Sequence, residues 1–277
     1  MRLVLGDRDF DVTSRALVMG ILNRTPDSFF DRGAHYRFDD FLRLAASHVD
    51  SGADLLDVGG VKAGPGTEVT ETEELERVVP AVEALASRFD VPLSVDTWRA
   101  EVARQAFAVG AVVGNDISGF ADPRYLPVAA EAGATVVATH IRLRPRVADP
   151  DPTYPRGVVV EVRERLAALA RAAEAAGIPP ERIVVDAGLD LGKTWQHSLE
   201  LLRGSERLAS LGYPLLLSAS NKTFLGRLLD LDVDERRDAS LAAAALGIVR
   251  GCRIIRAHDV AGTRRVCDVV QAVLEAA

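Results

Sequence analysis

Two aspartates, Asp96 and Asp186, and one asparagine, Asn115, each stand where an apolar run ends. An ionised carboxylate accepts two parallel N–H bonds, which suits an amidine-like N–C–NH2 edge, and an Asn offers a donor and an acceptor together. The three fit a flat nitrogen heterocycle such as a pterin or purine. General acid–base catalysis and Mg2+ binding are competing uses of the same acids. A second group is cationic or polar: Lys222, Arg256 and His258 late in the chain, with Asn23 near its start. That group could hold a diphosphate, with or without Mg2+; a surface salt-bridge group is the plainer alternative. A third stretch, DVGGVKAGPG (57–66), follows an apolar approach and sheds nearly all its side chains. A backbone does this where it approaches a ligand closely or forms a mobile loop.

These residues need elements to place them. Short, nearly continuous apolar runs occur at 16–22, 53–58, 91–96, 111–116, 134–139, 182–186, 213–218 and 253–257. Such runs suit parallel strands covered on both faces. Helical spacing fills 37–51, 71–88, 98–108, 123–132, 157–176, 196–210, 236–250 and 260–275, as in Val162, Leu166, Leu169 and Ala173. Eight strand–helix pairs with no low-complexity linker predict one α/β domain over 1–277, a (β/α)8 TIM barrel with a short N-terminal hairpin at about 1–12. A doubly wound open sheet is the alternative, but its Gly-x-Gly-x-x-Gly first turn is absent.

A barrel carries its chemistry on the C-terminal strand ends. In order these are Asn23, Asp57, Asp96, Asn115–Asp116, His140, Asp186, Ser218 to Lys222, and Arg256 to Asp259. Asp116 and Asp259 fall one step past the inward position and read equally well as helix caps. With acids on one arc and cations on the other, the rim is expected to be bipolar.

The chain has 277 residues, 48% hydrophobic and 26% charged, with net charge −7, so general nucleic-acid affinity is not expected. There is no run of eighteen apolar residues and no signal-peptide h-region, so no membrane association is expected and the place is cytoplasmic. Cys252 and Cys267 have no metal-ligand spacing and read as buried thiols.

VMGILNRTPDSFFDRG (18–33), with its Asn-x-Thr-Pro-Asp-Ser-Phe core, resembles the first signature of the dihydropteroate synthases, folate enzymes of the pterin-binding barrel superfamily. The similarity continues through SVDTWRAEVA (94–103), GNDISG (114–119), DAGLDLGKTWQHSLELL (186–202), SNKTFLG (220–226) and RAHDVAGTRRV (256–266), essentially the whole chain. The resemblance implies a pterin pocket of Asp96, Asn115, Asp186 and Lys222, and a diphosphate and Mg2+ region of Asn23, Arg256 and His258, with Asn23 toward the metal. Lys222, Asp96 and Arg256 would carry the catalysis. The implied reaction joins 6-hydroxymethyl-7,8-dihydropterin diphosphate to an arylamine, p-aminobenzoate or a relative, with loss of pyrophosphate. The small-residue helix with DASLAAAALG (238–247) resembles that family's dimer-interface helix, which implies a homodimer.

The family's second loop reads Gly-Gly-Glu-Ser-Thr-Arg-Pro-Gly. Here Val61, Lys62, Ala63 and Gly64 replace its middle four residues, removing a hydroxyl and a bidentate cation from the amine-reading side. Asn221 stands where the family has Arg, Arg24 follows Asn23, and THIRLRPRV (139–147) replaces a Met-His-containing loop. The Val-Lys-Ala-Gly loop is similar to that of the second, paralogous synthase of actinobacteria, regarded as lacking the standard activity. Two functions are therefore expected to compete: a transferase with altered amine use, or a catalytically inactive paralogue that binds a pterin without making folate.

Overall fold

The computed structural model describes residues 1–24, 38–64 and 66–276. Each expected apolar run is a strand: β3 (Leu17–Asn23), β4 (Leu55–Gly59), β5 (Leu93–Asp96), β6 (Val113–Asp116), β7 (Thr135–Thr139), β8 (Ile183–Asp186), β9 (Leu215–Leu217) and β10 (Cys252–Ala257). They pair in parallel and close into a barrel in the order β10-β3-β4-β5-β6-β7-β8-β9. This is the (β/α)8 architecture, with helices covering the outside. β4, β7 and β8 are buried along their whole length, which explains why these strands read as unbroken apolar runs rather than alternating ones.

The helices are α1 (Phe38–Asp50), α2 (Glu71–Ala86), α3 (Ala100–Ala108), α4 (Tyr125–Glu131), α5 (Val158–Ala175), α6 (Trp195–Arg203), α7 (Ser205–Ala209), α8 (Thr223–Leu229), α9 (Arg237–Val249) and α10 (Val260–Glu275). Two departures from the sequence reading have local causes. The segment 196–210 is two helices, broken at Gly204, where a Cβ would come within 2.9 Å of Val159 on α5. The short helix α8 follows Lys222 and has too few residues to show a period. α2 starts cleanly because Thr70 and Glu73 form a reciprocal cap: Glu73 N donates to Thr70 Oγ1 at 3.2 Å and Thr70 N to Glu73 Oε2 at 2.8 Å.

The N-terminal segment is the expected hairpin, β1 (Arg2–Leu5) pairing antiparallel with β2 (Arg8–Asp11). Its Leu3 and Leu5 pack with Met19, Leu55, Val113, Val137, Val184, Leu216 and Ile254, one inward residue from each of seven barrel strands. The hairpin thus stoppers the N-terminal end of the barrel. An isolated two-stranded hairpin is marginal in water; burying Leu3 and Leu5 contributes about 2 kcal/mol each and holds this one in place. Cys252 and Cys267 are buried free thiols, each pushed up to about 12 by burial. Among the described residues no helix is long and apolar enough to cross a membrane.

Candidate functional site

Strand residues two apart share a face, so the inward layer above the hairpin stopper is read directly from the strands. Leu55 is followed by Asp57, Val113 by Asn115, Val184 by Asp186, and Ile254 by Arg256. Register sets Asp96 opposite Asn115 on the neighbouring strand, and Asp57 opposite Ser94. The polar rim is a geometric consequence of a polar residue standing one inward position after the core layer.

The expected bipolar rim is not what forms. Arg256 reaches across the mouth into the acids, donating Nε to Asp57 Oδ2 at 2.6 Å and Nη2 to Asp96 Oδ2 at 2.9 Å. Asp57, fully buried, also accepts from Ser94 Oγ at 2.5 Å and from Asn115 Nδ2 at 3.2 Å. Opposite charges attract strongly in a low-dielectric interior, so a long arginine between two strand-end carboxylates pairs with them rather than waiting for an anion. Burial pushes the Asp96 carboxyl up to about 7, against the pull of Arg256. Burial opposes the charge on Arg256, but Asp57 and Asp96 outweigh it and hold its pKa above the ordinary value.

Asp186 stands beside this network. Burial raises its pKa, opposed by the N–H of Gly188, which donates to Oδ1 at 2.8 Å, and by Lys222. Gly188 has φ +63, and a Cβ there would collide with the carbonyl of His140, so this turn accepts only glycine. Burial lowers the pKa of Lys222, and the nearby Asp190 and Asp186 oppose the shift. Lys222 donates Nζ to Leu189 O at 3.2 Å. Asp190 holds the following helix in place by accepting from Thr223 N at 2.7 Å and Phe224 N at 3.3 Å. Asp96, Asn115, Asp186, Lys222 and Arg256 line one cavity of about 40 Å3, together with Ala63. The two aspartates do share a hollow.

His258 lies outside that cavity. Its Nδ1 is 2.9 Å from Ser220 Oγ, and it lines a neighbouring cavity of about 330 Å3 between the last two strand ends and α9 and α10. Arg256 lines both cavities. His258 is exposed on one side, yet desolvation on the other, followed by the charges of Arg256, His48 and Lys222, pushes its pKa down to about 4. Asp259 caps α10 by accepting from Gly262 N at 2.9 Å, and Asp116 accepts from Ser118 N and Phe120 N, so both are structural. Asn23 ends β3; its Oδ1 and Asp96 Oδ2 flank Gly59, 3.6 and 3.5 Å from where a Cβ would sit. The rest of the first signature, residues 25–33, lies outside the described residues.

Among the described residues no group of three or more His, Cys, Asp or Glu side chains is arranged to hold a metal ion. Asn23 offers one hard oxygen, which fits an ion that keeps its waters and arrives on a phosphate, the common mode for Mg2+.

Comparison with known proteins decides the family. The model for "Pterin binding enzyme" matches residues 19–258. A Mycobacterium leprae protein described as inactive dihydropteroate synthase 2 is 47% identical over 268 residues, covering 94% of this chain and 91% of the relative. The Yersinia pestis dihydropteroate synthase solved with a sulfonamide drug superposes with a TM-score of 0.93 at 38% identity, covering both chains completely. The Xanthomonas albilineans dihydropteroate synthase solved with 7,8-dihydropteroate gives 0.89 at 37%, again over both whole chains. The chain belongs to the dihydropteroate synthase family.

Within that family the second loop is where this chain differs. Val61 is buried, Lys62 is exposed, Ala63 faces the ring cavity, and Gly64 is exposed, with none of the described residues within 4 Å of a Cβ built on it. Of the two glycines before it, Gly59 lies between Asn23 and Asp96, whereas Gly60 serves packing. A Cβ on Gly60 would lie 2.8 Å from Val78 Cγ2, so Gly60 lets α2 pack against the end of β4. Two residues of the site escape a pattern reading, and a third, Asp57, is found by it without its partner. Asp57 marks a strand end, but its pairing with Arg256 is not visible in sequence. Asp190 and Lys193 lie inside DAGLDLGKTWQHSLELL and reveal themselves only through their contacts. Buried Lys193 donates Nζ to Leu191 O at 2.9 Å and His140 O at 3.2 Å and sits 2.9 Å from His140 Nδ1.

Proposed function

We propose that this chain is a dihydropteroate synthase-type transferase that takes a 6-hydroxymethyl-7,8-dihydropterin diphosphate and an arylamine other than, or in addition to, p-aminobenzoate. The observation that carries this reading is the meeting of Asp96, Asn115, Asp186, Lys222 and Arg256 on one cavity. Asp186 and Asn115 offer paired acceptors and a donor for the edge of the ring. Lys222 supplies a donor on the same wall, and Arg256, fixed by Asp57 and Asp96, presents a rigid cation to the ring and to the leaving side. In the reaction the methylene–oxygen bond breaks with its electrons leaving on the diphosphate, the amine nitrogen bonds to the methylene carbon, and the amine loses a proton. A fixed cation helps most where charge develops, because no reorganisation is needed at that moment. His258 and Asn23 are assigned to the diphosphate end. Mg2+, held by Asn23 together with phosphate oxygens, would neutralise charge on the leaving group.

A second reading, ring binding without synthesis, is favoured by one specific observation: the Thr and Arg positions of the second loop are Ala63 and Gly64. The deciding experiment is rescue of a synthase-deficient strain on folate-free medium. Growth supports the standard transferase; failure together with measurable pterin binding selects the second reading or a different amine. We also propose a homodimer, because α9 and α10 present exposed Leu246, Val249, Val269 and Val273 to solvent.

A further inference from the structure

The segment between β7 and α5 walls a further cavity of about 640 Å3, a volume in the range of pockets that hold small organic molecules. Ile141, Leu143 and Tyr154 give it apolar surface, and His140 and Arg165 stand among its polar groups. Among the described residues it shares no lining side chain with the ring cavity. The two are joined only through the main chain, where His140 N donates to Asp186 O at 2.9 Å.

Most of the charge on its wall is already paired. Arg142 donates Nε and Nη2 to Asp149 at 2.5 and 2.9 Å, and Arg156 donates Nη1 to Glu164 Oε1 at 2.8 Å. Glu161 accepts from Arg156 N at 2.8 Å and lies in the first turn of α5, where the helix dipole favours an acid. Arg165, exposed on the same helix, forms no ion pair among the described residues.

His140 holds the second unmatched group. It is only 5% exposed. A protonated Lys193 carries three N–H donors and has three acceptors in reach, Leu191 O, His140 O and His140 Nδ1. With Nδ1 accepting, the ring proton sits on Nε2. That N–H has no partner among the described residues. Burial, then the charges of Lys193 and Arg165, push the imidazole down to about 3, so it stays neutral and Arg165 lies close enough to be felt. Buried donors are almost always matched by an acceptor, so an unmatched one on a cavity wall marks a place where an acceptor belongs.

We infer that this cavity is a small-molecule site separate from the ring cavity, and that it takes an oxyanion, carboxylate or phosphate, carried on an apolar body. The oxyanion would lie between His140 Nε2 and the Arg165 guanidinium, and the body along Ile141, Leu143 and Tyr154. Two donors, one of them charged, match an acceptor-only group, and a bond to an ionised acceptor is the stronger kind. The site goes beyond the transferase reading and stands whether or not that reading holds.

The test titrates the full-length protein with benzoate and with phenyl phosphate, and with benzamide as a neutral counterpart of similar shape. The pH is set at about 6, where Lys193, whose pKa is about 7, carries its proton. Binding is followed by NMR at the Nε2 resonance of His140, assigned by its loss in His140→Gln. Either anion should bind and shift that resonance, and the tighter one identifies which oxyanion the site prefers. Benzamide should bind about tenfold or more weakly. Arg165→Gln, a change at an exposed position, should weaken the anions about tenfold and leave benzamide unaltered. Benzamide binding as tightly as benzoate overturns the site, as does unchanged anion affinity in Arg165→Gln. So does an anion that binds while the His140 resonance stays in place. If neither anion binds, water alone meets the unmatched N–H and the inference falls.

Discussion

Arg256 donates Nη2 to Asp96 Oδ2 at 2.9 Å, joining the last strand of the barrel to the third across its open end. The same guanidinium holds Asp57, which is inaccessible to solvent. The site is thus an ion-paired triad first and a ligand pocket second.

Removing that guanidinium leaves Asp57 buried with only neutral partners, Ser94 and Asn115. Breaking a buried pair from one side typically costs about 3–5 kcal/mol. Arg256→Ala should lower stability by that amount in urea denaturation, and Asp57→Asn combined with Arg256→Met should recover much of the loss. A penalty below about 1 kcal/mol would mean that water replaces the guanidinium, contrary to the burial seen here.

The Asp96 carboxyl, raised to about 7, makes binding depend on pH in a definite direction. Its folded pKa lies above its unfolded one, so the stability contributed by its proton is complete below the ordinary aspartate range and lost as pH rises through about 7. Ring binding that uses the carboxylate runs the other way: affinity for 6-hydroxymethylpterin should increase from pH 6 to pH 8. Asp96→Asn should weaken binding about tenfold or more and flatten the pH profile. Calorimetry at several pH values checks both; a flat wild-type profile would remove Asp96 from the ring contacts.

Among the described residues nothing crowds a Cβ on Gly64, and Gly64 does not adopt a left-handed backbone. Ala63→Thr with Gly64→Arg should therefore fold within about 0.5 kcal/mol of the parent. Any p-aminobenzoate-dependent turnover, measured as dihydropteroate formed, should rise. A well-folded double variant with no gain places the altered amine use elsewhere, with Asn221 and the 139–147 segment the next positions to exchange.

Lys193 ties two of the loops above the barrel together, and burial lowers its pKa to about 7. Burial, then the charge of Lys193, pushes His140 down to about 3, so the imidazole is neutral and its Nδ1 accepts. Lys193→Met leaves two carbonyls unpaired at about 1–3 kcal/mol each, partly offset by relief of a buried charge. Because the folded pKa is depressed, the unfolded chain holds more protons between about 7 and the ordinary lysine range, and wild-type stability rises with pH there. The deficit of the variant should accordingly be larger at pH 9 than at pH 6, by denaturation at both.

Much of the architecture was readable in advance because it is local. A parallel strand covered on both sides must be apolar throughout, and an amphipathic helix must repeat at 3.6 residues, so the eight pairs announce themselves. The boundary errors are instructive. Gly204 divides one expected helix because Val159 packs against it, and α8 is too short to show a period and is held at its start by Asp190 from another loop.

For the site, the linear order of residues determined which side chains reach the rim: one inward position after a core residue places Asp57, Asn115, Asp186 and Arg256 there, and one after the buried Ser94 places Asp96. Family membership was equally contained in the motifs, from 18–33 to 256–266. Only the tertiary structure decided how those groups pair. Arg256 and Asp96 are 160 positions apart, and charge attraction acts on distance in space, so a rim expected to be bipolar closed into a triad. That Arg146, from the segment between β7 and α5, donates to Lys62 O and Thr67 O in the second loop is likewise a tertiary fact. Its acceptors are backbone carbonyls, which every residue carries alike and which leave no mark in the sequence.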